Sequence, residues 1–307
     1  MSKISGILYK SIMTAFNICP FKRSLCFGIK SLNIPFGKLY MDFKFKGKFK
    51  VRVDHDNSFL MYQHGGTIEN ETFWKGLFVT WENETGWVWK QLCKCSDIVF
   101  DIGANTGIYS LITKSINPTS SVYAFEPSNN TFDKLTLNNS INNYNIKCEK
   151  IALSNKTCKQ TFFDTTYTHQ TSASLSADIL KNVCECKGDI VEYSVQTMTM
   201  AQYIETNNIG KIDLIKIDIE LHEPEAIQGF GKYLTLYKPI VIIEVLTDKV
   251  ANELNNLIGD DFIRLHLKEN ERAEFVTHFK VYPGQWNYIF FHKDTETKIR
   301  QHTTLNW

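Results

Sequence analysis

The hydrophobic positions of this chain change period several times, and each change marks an element. Ile4, Ile7, Leu8, Ile12, Ala15 and Phe16 recur at helical spacing with Lys3 and Lys10 off the stripe, so the first segment reads as an amphipathic helix ended by Pro20. Residues 38–62 then alternate in strand fashion, as in Leu39-Tyr-Met-Asp-Phe43-Lys-Phe45-Lys and Phe49-Lys-Val51-Arg-Val53, with Gly47-Lys48 as the expected hairpin turn. Residues 69–94 carry Phe73, Trp74, Leu77, Trp81, Trp87 and Trp89 and are expected to form a mostly helical cap whose aromatics pack.

From residue 97 onward, short apolar runs alternate with helical patterns. Strands are expected at 97–101, 120–125, 146–151, 212–217 and 239–244, and helices near 108–117, 129–142, 198–206, 223–230 and 248–258. This alternation builds a doubly wound, mostly parallel α/β sheet. Phe262-Ile-Arg-Leu-His-Leu267 and Trp286-Asn-Tyr-Ile-Phe-Phe-His292 bring it to seven strands. Residues 164–190, rich in Thr, Ser, Cys and Lys, form a long loop of the kind that serves as a lid or binding loop. The expected organisation is an accessory region at 1–95, holding the N-terminal helix, a small antiparallel β subdomain and the Trp-rich cap; a ligand-binding domain at 96–293; and a tail at 294–307.

The candidate chemistry begins at Asp97-Ile-Val-Phe-Asp101-Ile-Gly103-Ala-Asn105-Thr-Gly107-Ile-Tyr109, which reads as a buried strand, a glycine-bent turn and a helix start. Such a turn lets backbone N–H groups approach a nucleotide-like ligand closely. Glu126, closing the run Ser121-Val-Tyr-Ala-Phe125, stands where an α/β nucleotide-binding unit places the acid that holds ribose hydroxyls. The turn lacks the third glycine of a dinucleotide fingerprint and the Lys of a P-loop. The Tyr-x-x-x-Lys spacing of a short-chain dehydrogenase occurs at Tyr40 and Lys44, ahead of the turn. An acid before the turn suits an adenosine derivative carrying positive charge, as S-adenosylmethionine does.

Asp101-Ile-Gly-Ala-Asn-Thr-Gly-Ile-Tyr-Ser110, Ala124-Phe-Glu-Pro127 with Phe132, Leu135 and Asn138, and Ile215-Lys-Ile-Asp218-Ile-Glu220 together resemble the FkbM-type S-adenosylmethionine-dependent methyltransferases over about residues 54–292. The resemblance implies a Rossmann-like methyltransferase fold with an antiparallel last strand. It also implies O-methyl transfer to a hydroxyl of a sugar, glycan or related small molecule. In the implied cofactor site Asp101 orients the amino acid end, the turn from Gly103 through Ala104 and Asn105 to Gly107 accepts the closest approach, Glu126 takes the ribose, and Ile151-Ala152 flank the adenine. Tyr109, Pro127 and Asp218 complete the set. One departure is visible: where the family reads Asp-hydrophobic-Glu-Gly-x-Glu, this chain has Asp218-Ile-Glu220-Leu221-His222-Glu223, with Leu in place of Gly.

Ligands of open α/β sheets sit beyond the carboxyl ends of the strands, so Asp218, Glu220, His222 and Glu223 after the fourth strand and Glu244 ending the fifth face one crevice and, with Lys216 near the end of the fourth strand, are the acid–base candidates. His222 is the first choice for general base, because its ordinary pKa lies near neutrality; against this, His222 could merely neighbour the start of the helix that Glu223, Pro224 and Glu225 open. Asp218 and Glu244 are the alternative pair for a magnesium ion. His64 and His169, in loop-like segments, are read as solvated.

Composition narrows the alternatives. The net charge of +1 hides an asymmetry: residues 1–53 hold eleven Lys or Arg against one acid, Asp42, a local balance of +10. With the apolar stripe this suggests peripheral contact with an anionic membrane, set against the reading that the stripe packs on the accessory sheet. No apolar run approaches the roughly 18 residues that span a bilayer, so a soluble, cytoplasmic chain is expected. The basic segment alone supports a nucleic acid methyltransferase, and the chain has neither an Asn/Asp-Pro-Pro-aromatic motif nor a Pro-Cys dipeptide. A third reading, a cofactor-binding module disabled by Leu221, stays open. The cysteines at 19, 26, 93, 95, 148, 158, 184 and 186 are expected as reduced thiols, since the Cys-x-Cys pairs are one residue short of a zinc knuckle.

Overall fold

The computed structural model describes residues 6–32, 39–79, 82–165, 173–175, 189–268 and 273–305, so that Lys3, Ile4, Trp81, His169, Cys184 and Cys186 lie outside the described residues. Helices α1 (Gly6–Ile18) and α2 (Lys22–Ser31) precede the hairpin of β1 (Gly47–Arg52) and β2 (Ser58–Gln63), and α3 (Thr67–Lys75) and α4 (Asn83–Leu92) follow. Three expectations change here. The single N-terminal helix is a helix pair, because the chain breaks at Pro20 and winds again from Lys22. Gly47 opens β1 instead of turning the hairpin; the reversal falls after Arg52, where Asp54 Oδ1 accepts from the N–H groups of Asp56 at 2.9 Å and Asn57 at 2.7 Å. Leu39–Asp42, expected as strand, is a 3-10 turn. The hairpin is fastened to the rest of the molecule by Asn142 and Asn138, whose side-chain oxygens accept from Leu60 N–H at 2.7 Å and Tyr62 N–H at 2.9 Å.

The main sheet and its helices follow: β3 (Ile98–Ile102), α5 (Ile108–Ile116), β4 (Ser121–Phe125), α6 (Asn129–Ile141), β5 (Lys147–Glu149), β6 (Ala152–Leu153), β7 (Lys159–Thr165), β8 (Ile190–Met198), α7 (Met200–Thr206), β9 (Leu214–Ile217), α8 (Glu223–Phe230), α9 (Lys232–Tyr237), β10 (Ile240–Glu244), α10 (Asp248–Leu257), β11 (Phe262–His266), β12 (Glu274–Val276), β13 (Asn287–His292) and α11 (Glu296–His302). The order is β12-β11-β13-β10-β9-β3-β4-β5, with β5, β4, β3, β9 and β10 parallel and β13 antiparallel between β10 and β11. Eight strands stand where seven were expected, because Glu274–Val276 adds a short edge.

Strand parity sorts the core into two layers. Val99, Leu214, Ile240 and Ile242 face one side and pack with α4, α5 and the accessory region, including Phe73 and Trp89. Phe100, Ile102, Ile215, Ile217, Val241 and Ile243 face the other and pack with α7, α8 and α10. Both faces being covered, the central strands are apolar except where Asp101, Lys216 and Glu244 stand at or near their carboxyl ends. Beside them lies an unexpected three-stranded sheet, β6-β8-β7: the chain around the expected long loop pairs as a hairpin from Lys159–Gln196 to Thr165–Ile190. Its mixed polar sequence, with only Val195 and Thr197 of β8 buried, hides the strand period.

Candidate active site

The β3–α5 turn is shaped by what it must pass. Gly103 has φ +80°, and a Cβ there would lie 1.8 Å from the carbonyl oxygen of Asp218, so any larger residue would push the ends of β3 and β9 apart. The N–H groups of Gly103 and Ala104 both donate to Phe125 O at 3.0 Å, which ties the turn to the end of β4. Asn105 N–H is thereby aimed at Glu126 Oε2, at 2.9 Å, while Ser128 N–H donates to Oε1 at 2.9 Å. Each carboxylate oxygen of Glu126 retains capacity to accept a further hydrogen bond, a match for two vicinal hydroxyls. Burial pushes the Glu126 carboxyl up to about 7 against the two backbone donors.

Asp101 serves this turn from behind. Its Oδ2 accepts from Ser110 N–H at 3.0 Å and Ser110 Oγ at 2.6 Å, fixing the start of α5, and burial raises it to about 6. Asp101 and Lys216 are register partners across β3 and β9. The buried Lys216 ammonium stands 3.1 Å from Asp218 Oδ2, 3.6 Å from Glu82 Oε1 and 5.2 Å above the Tyr109 ring. Burial alone would lower its pKa, but Asp218, Glu82 and Glu244 outweigh burial and hold it above the ordinary lysine value. Tyr109 donates its hydroxyl to Glu82 Oε2. Glu244 is pushed well above the usual carboxylate range by burial and by the charges of Asp218 and Glu220.

The β9–α8 loop carries the departure noted at Leu221. Glu220 has φ +57° and Leu221 φ +75°, so the leucine adopts the left-handed backbone that favours glycine. Ser174 Oγ donates to the Glu220 carbonyl, and Glu223 Oε1 accepts from Ile219 N–H at 3.1 Å, which together clasp the strained turn. Glu223 is fully buried, its Oε2 has no hydrogen-bond partner, and burial raises it to about 8. His222 Nε2 lies 2.9 Å from Ser154 Oγ and Nδ1 lies 3.5 Å from Glu225 Oε2; burial lowers its pKa and Glu225 opposes this.

Gly103, Ala104, Asn105, Tyr109, Glu126, Pro127, Ala152, Asp218, Glu220, His222 and Glu244 line one cavity of about 600 Å³, as do Ile151, Leu153, Phe162 and Leu175 on its apolar flank. Asp101, Gly107 and Lys216 do not line it and act through their neighbours; Gly107, at φ +89°, starts α5 where a Cβ would lie 2.5 Å from the Leu135 side chain. Glu82, Trp286 and Asn287 also line the cavity, and sequence reading misses them. Glu82 sits between two helices without periodic signal, whereas Asn287 is betrayed only by its register opposite Glu244. His64 is half-buried away from this cavity, and burial lowers it to about 4. Asp218 already has a lysine ammonium beside it, and among the described residues no group of three or more His, Cys, Asp or Glu is arranged to hold a metal ion. Cys19, Cys26, Cys93, Cys95, Cys148 and Cys158 are free thiols.

The sequence profile of the Methyltransferase FkbM domain matches residues 101–274, more than half of the chain and every part of the turn, the Glu126 site and the β9–α8 loop. The chain belongs to the FkbM methyltransferase family. Its cofactor is S-adenosylmethionine, and the residues present fit that group: an acid with two open acceptor positions, a turn that would not admit a Cβ at Gly103, and an apolar flank. The hexuronic acid methyltransferase AglP of Haloferax volcanii is 23% identical over 181 residues, covering 59% of this chain and 69% of the relative. A methyltransferase FkbM structure from Methylobacillus flagellatus KT aligns with TM-score 0.40 and 14% identity over 64% of this FkbM chain; only 44% of that protein's length is spanned. The SAM-dependent methyltransferase from Agrobacterium tumefaciens aligns with TM-score 0.43 and 10% identity over 80% of this chain and 70% of its own.

Proposed function

We propose that this FkbM-family chain transfers a methyl group from S-adenosylmethionine to a hydroxyl of a sugar, glycan or related small molecule. The observation that carries the reading is that Glu126 and His222 open on one cavity, so that the cofactor-holding acid and a proton acceptor meet there. The Haloferax relative, a hexuronic acid methyltransferase, supports a sugar as the acceptor class. Bound cofactor supplies a methyl carried on a sulfonium, and transfer then needs an aligned nucleophile and a place for its proton. Glu126 holds the ribose, with its own carboxylate pre-set by Asn105 and Ser128. His222, kept neutral near pH 7 by burial, is the group placed to take the acceptor proton; Ser154 at Nε2 and Glu225 near Nδ1 fix the ring, and Glu225 stabilises the resulting imidazolium.

Release of S-adenosylhomocysteine from the full chain with glycans, with oligonucleotides and with no acceptor tests this reading. Glycan-dependent release is expected; release with oligonucleotides alone would replace it with nucleic acid methylation, and no release in any arm would favour a disabled, cofactor-binding module. The carboxylates Glu82, Asp218, Glu220 and Glu244 in the lining speak against a polyanionic substrate. The left-handed backbone kept at Leu221 speaks against a disabled site.

No helix among the described residues is long and apolar enough to cross a membrane. The inward side of α1 is Phe16 with Ile12 and Met13, whereas Phe21, Leu25 and Leu32 form an outward stripe on and beside α2 at 74%, 41% and 70% exposure. We propose that this stripe, inside the segment of charge +10, rests on anionic lipid at the inner face of the membrane, each basic residue adding about 1 kcal/mol. Flotation of the full chain with anionic but not neutral vesicles is expected, and its loss in a Phe21→Ser, Leu25→Ser, Leu32→Ser variant. Failure to float with anionic vesicles would remove the membrane contact.

A further inference from the structure

We infer that the acceptor end of the cavity takes a neutral or amino-bearing sugar and turns away an acidic one, with Glu82, Glu244 and Asn287 as the residues that set the choice. The inference rests on the sugar-hydroxyl reading above. Glu244 and Asn287 face each other across the β10–β13 ladder. Asn287, 7% exposed, donates through Nδ2 to Glu82 Oε1 at 3.3 Å, which turns its Oδ1 elsewhere; that oxygen is buried and has no hydrogen-bond partner. A buried oxygen without a donor is costly, so a ligand that brings one is favoured.

The other polar groups at this end ask for the same thing. The carboxylates of Glu82 and Asp218, paired with Lys216, accept hydrogen bonds. Glu244, pushed well above the usual carboxylate range by burial and by Asp218 and Glu220, is an acid that a ligand ammonium would help to ionise and a ligand carboxylate would not. Lys216 supplies no counter-charge to a ligand, because it is 1% exposed, does not line the cavity, and is held by Asp218 and Glu82. Among the described lining residues none is Lys or Arg. Sugar hydroxyls and an ammonium group bring donors to this set. A carboxylate brings more acceptors and a negative charge into a cluster of carboxylates, away from bulk water where such repulsion is strongest. Trp286, directly before Asn287 and 39% exposed on the same lining, offers a flat apolar face to the C–H side of a sugar ring.

The test uses the full chain with S-adenosylmethionine and three acceptors that differ at one substituent: a methyl glucoside, a methyl glucosaminide and a methyl glucuronide. Release of S-adenosylhomocysteine is expected from the first two, with kcat/KM for the glucuronide lower by roughly 100-fold or more, as befits a site whose buried polar groups the wrong ligand leaves unpaired. Comparable or better transfer to the glucuronide would overturn the inference while leaving sugar methylation intact. No transfer to any of the three, with S-adenosylhomocysteine still bound, would overturn the sugar reading and this inference with it. In a second arm, Glu244→Gln should reduce the preference for the glucosaminide over the glucoside by roughly tenfold, with S-adenosylhomocysteine affinity as the check on folding. An unchanged preference would remove Glu244 from the choice.

Discussion

The two ends of the cavity are built by different means. At the β3–β4 end one carboxylate, Glu126, is held by the backbone N–H groups of Asn105 and Ser128, all within a single βαβ unit. At the β10–β13 end Glu82, Lys216, Glu244 and Asn287, drawn from distant segments, hold one another by charge and side-chain hydrogen bonds. Backbone donors survive most side-chain changes, whereas a buried side-chain network depends on each of its members. Cofactor affinity should therefore be robust to substitution at the far end, and acceptor choice should be what a single substitution alters.

Glu126→Ala breaks the first end outright, because two backbone donors and two ribose hydroxyls lose their acceptor. At about 1–3 kcal/mol for each of the two hydroxyl contacts left unmade, affinity for S-adenosylhomocysteine by calorimetry should fall roughly 30- to 20,000-fold; unchanged affinity would sink the ribose assignment. His222→Ala should do the reverse, lowering turnover roughly 100-fold or more while cofactor affinity stays. Wild-type turnover in that variant would leave His222 as a neighbour of the α8 start.

A smaller effect comes from the titration of Glu126. Because burial raises it to about 7, the folded chain below that pH keeps a proton that the unfolded chain has lost, and stability falls as pH rises from the ordinary carboxylate range to about 7. If Glu126 holds the ribose as proposed, its ionised form is the one that accepts both hydroxyls, so affinity for S-adenosylhomocysteine should rise by up to about tenfold between pH 6 and pH 8. Glu126→Gln should flatten the rise; a rise of the same size in that variant would assign it to another group.

The smallest effect sits at Leu221. Alanine there would lose packing and keep the left-handed strain, whereas glycine would lose the packing and release the strain, so Leu221→Gly should be more stable than Leu221→Ala by about 1 kcal/mol in urea unfolding. Equal stabilities would mean the loop relaxes once the side chain is shortened.

These contrasts also explain what the sequence discloses. The turn, Glu126 and the strand–helix alternation are contiguous or periodic, so spacing alone finds them. Asp101 and Lys216 are read as direct site residues because they end strands, but parity turns both toward α5, where they meet Ser110 and Tyr109. Ser154, Ser174, Glu82 and Asn287 meet the site only after the chain has folded, and nothing local marks them. The hairpin near Gly47 misleads for a different reason: an Asx turn at Asp54 outcompetes the glycine, since its side chain satisfies two backbone donors at once.

The neutralisation of Lys216 has a consequence for how the molecule assembles. Its partners Asp218 and Glu82, and the Asn287 that holds Glu82, come from β9, from the start of α4 and from the last strand of the sheet. The contact between Asn287 and Glu82 spans 205 positions of sequence, among the slowest kinds of closure for a chain to make. The far end of the pocket is thus complete only where segments from both halves of the chain meet, and a chain shortened beyond Glu82 would leave the buried Lys216 ammonium with one carboxylate fewer.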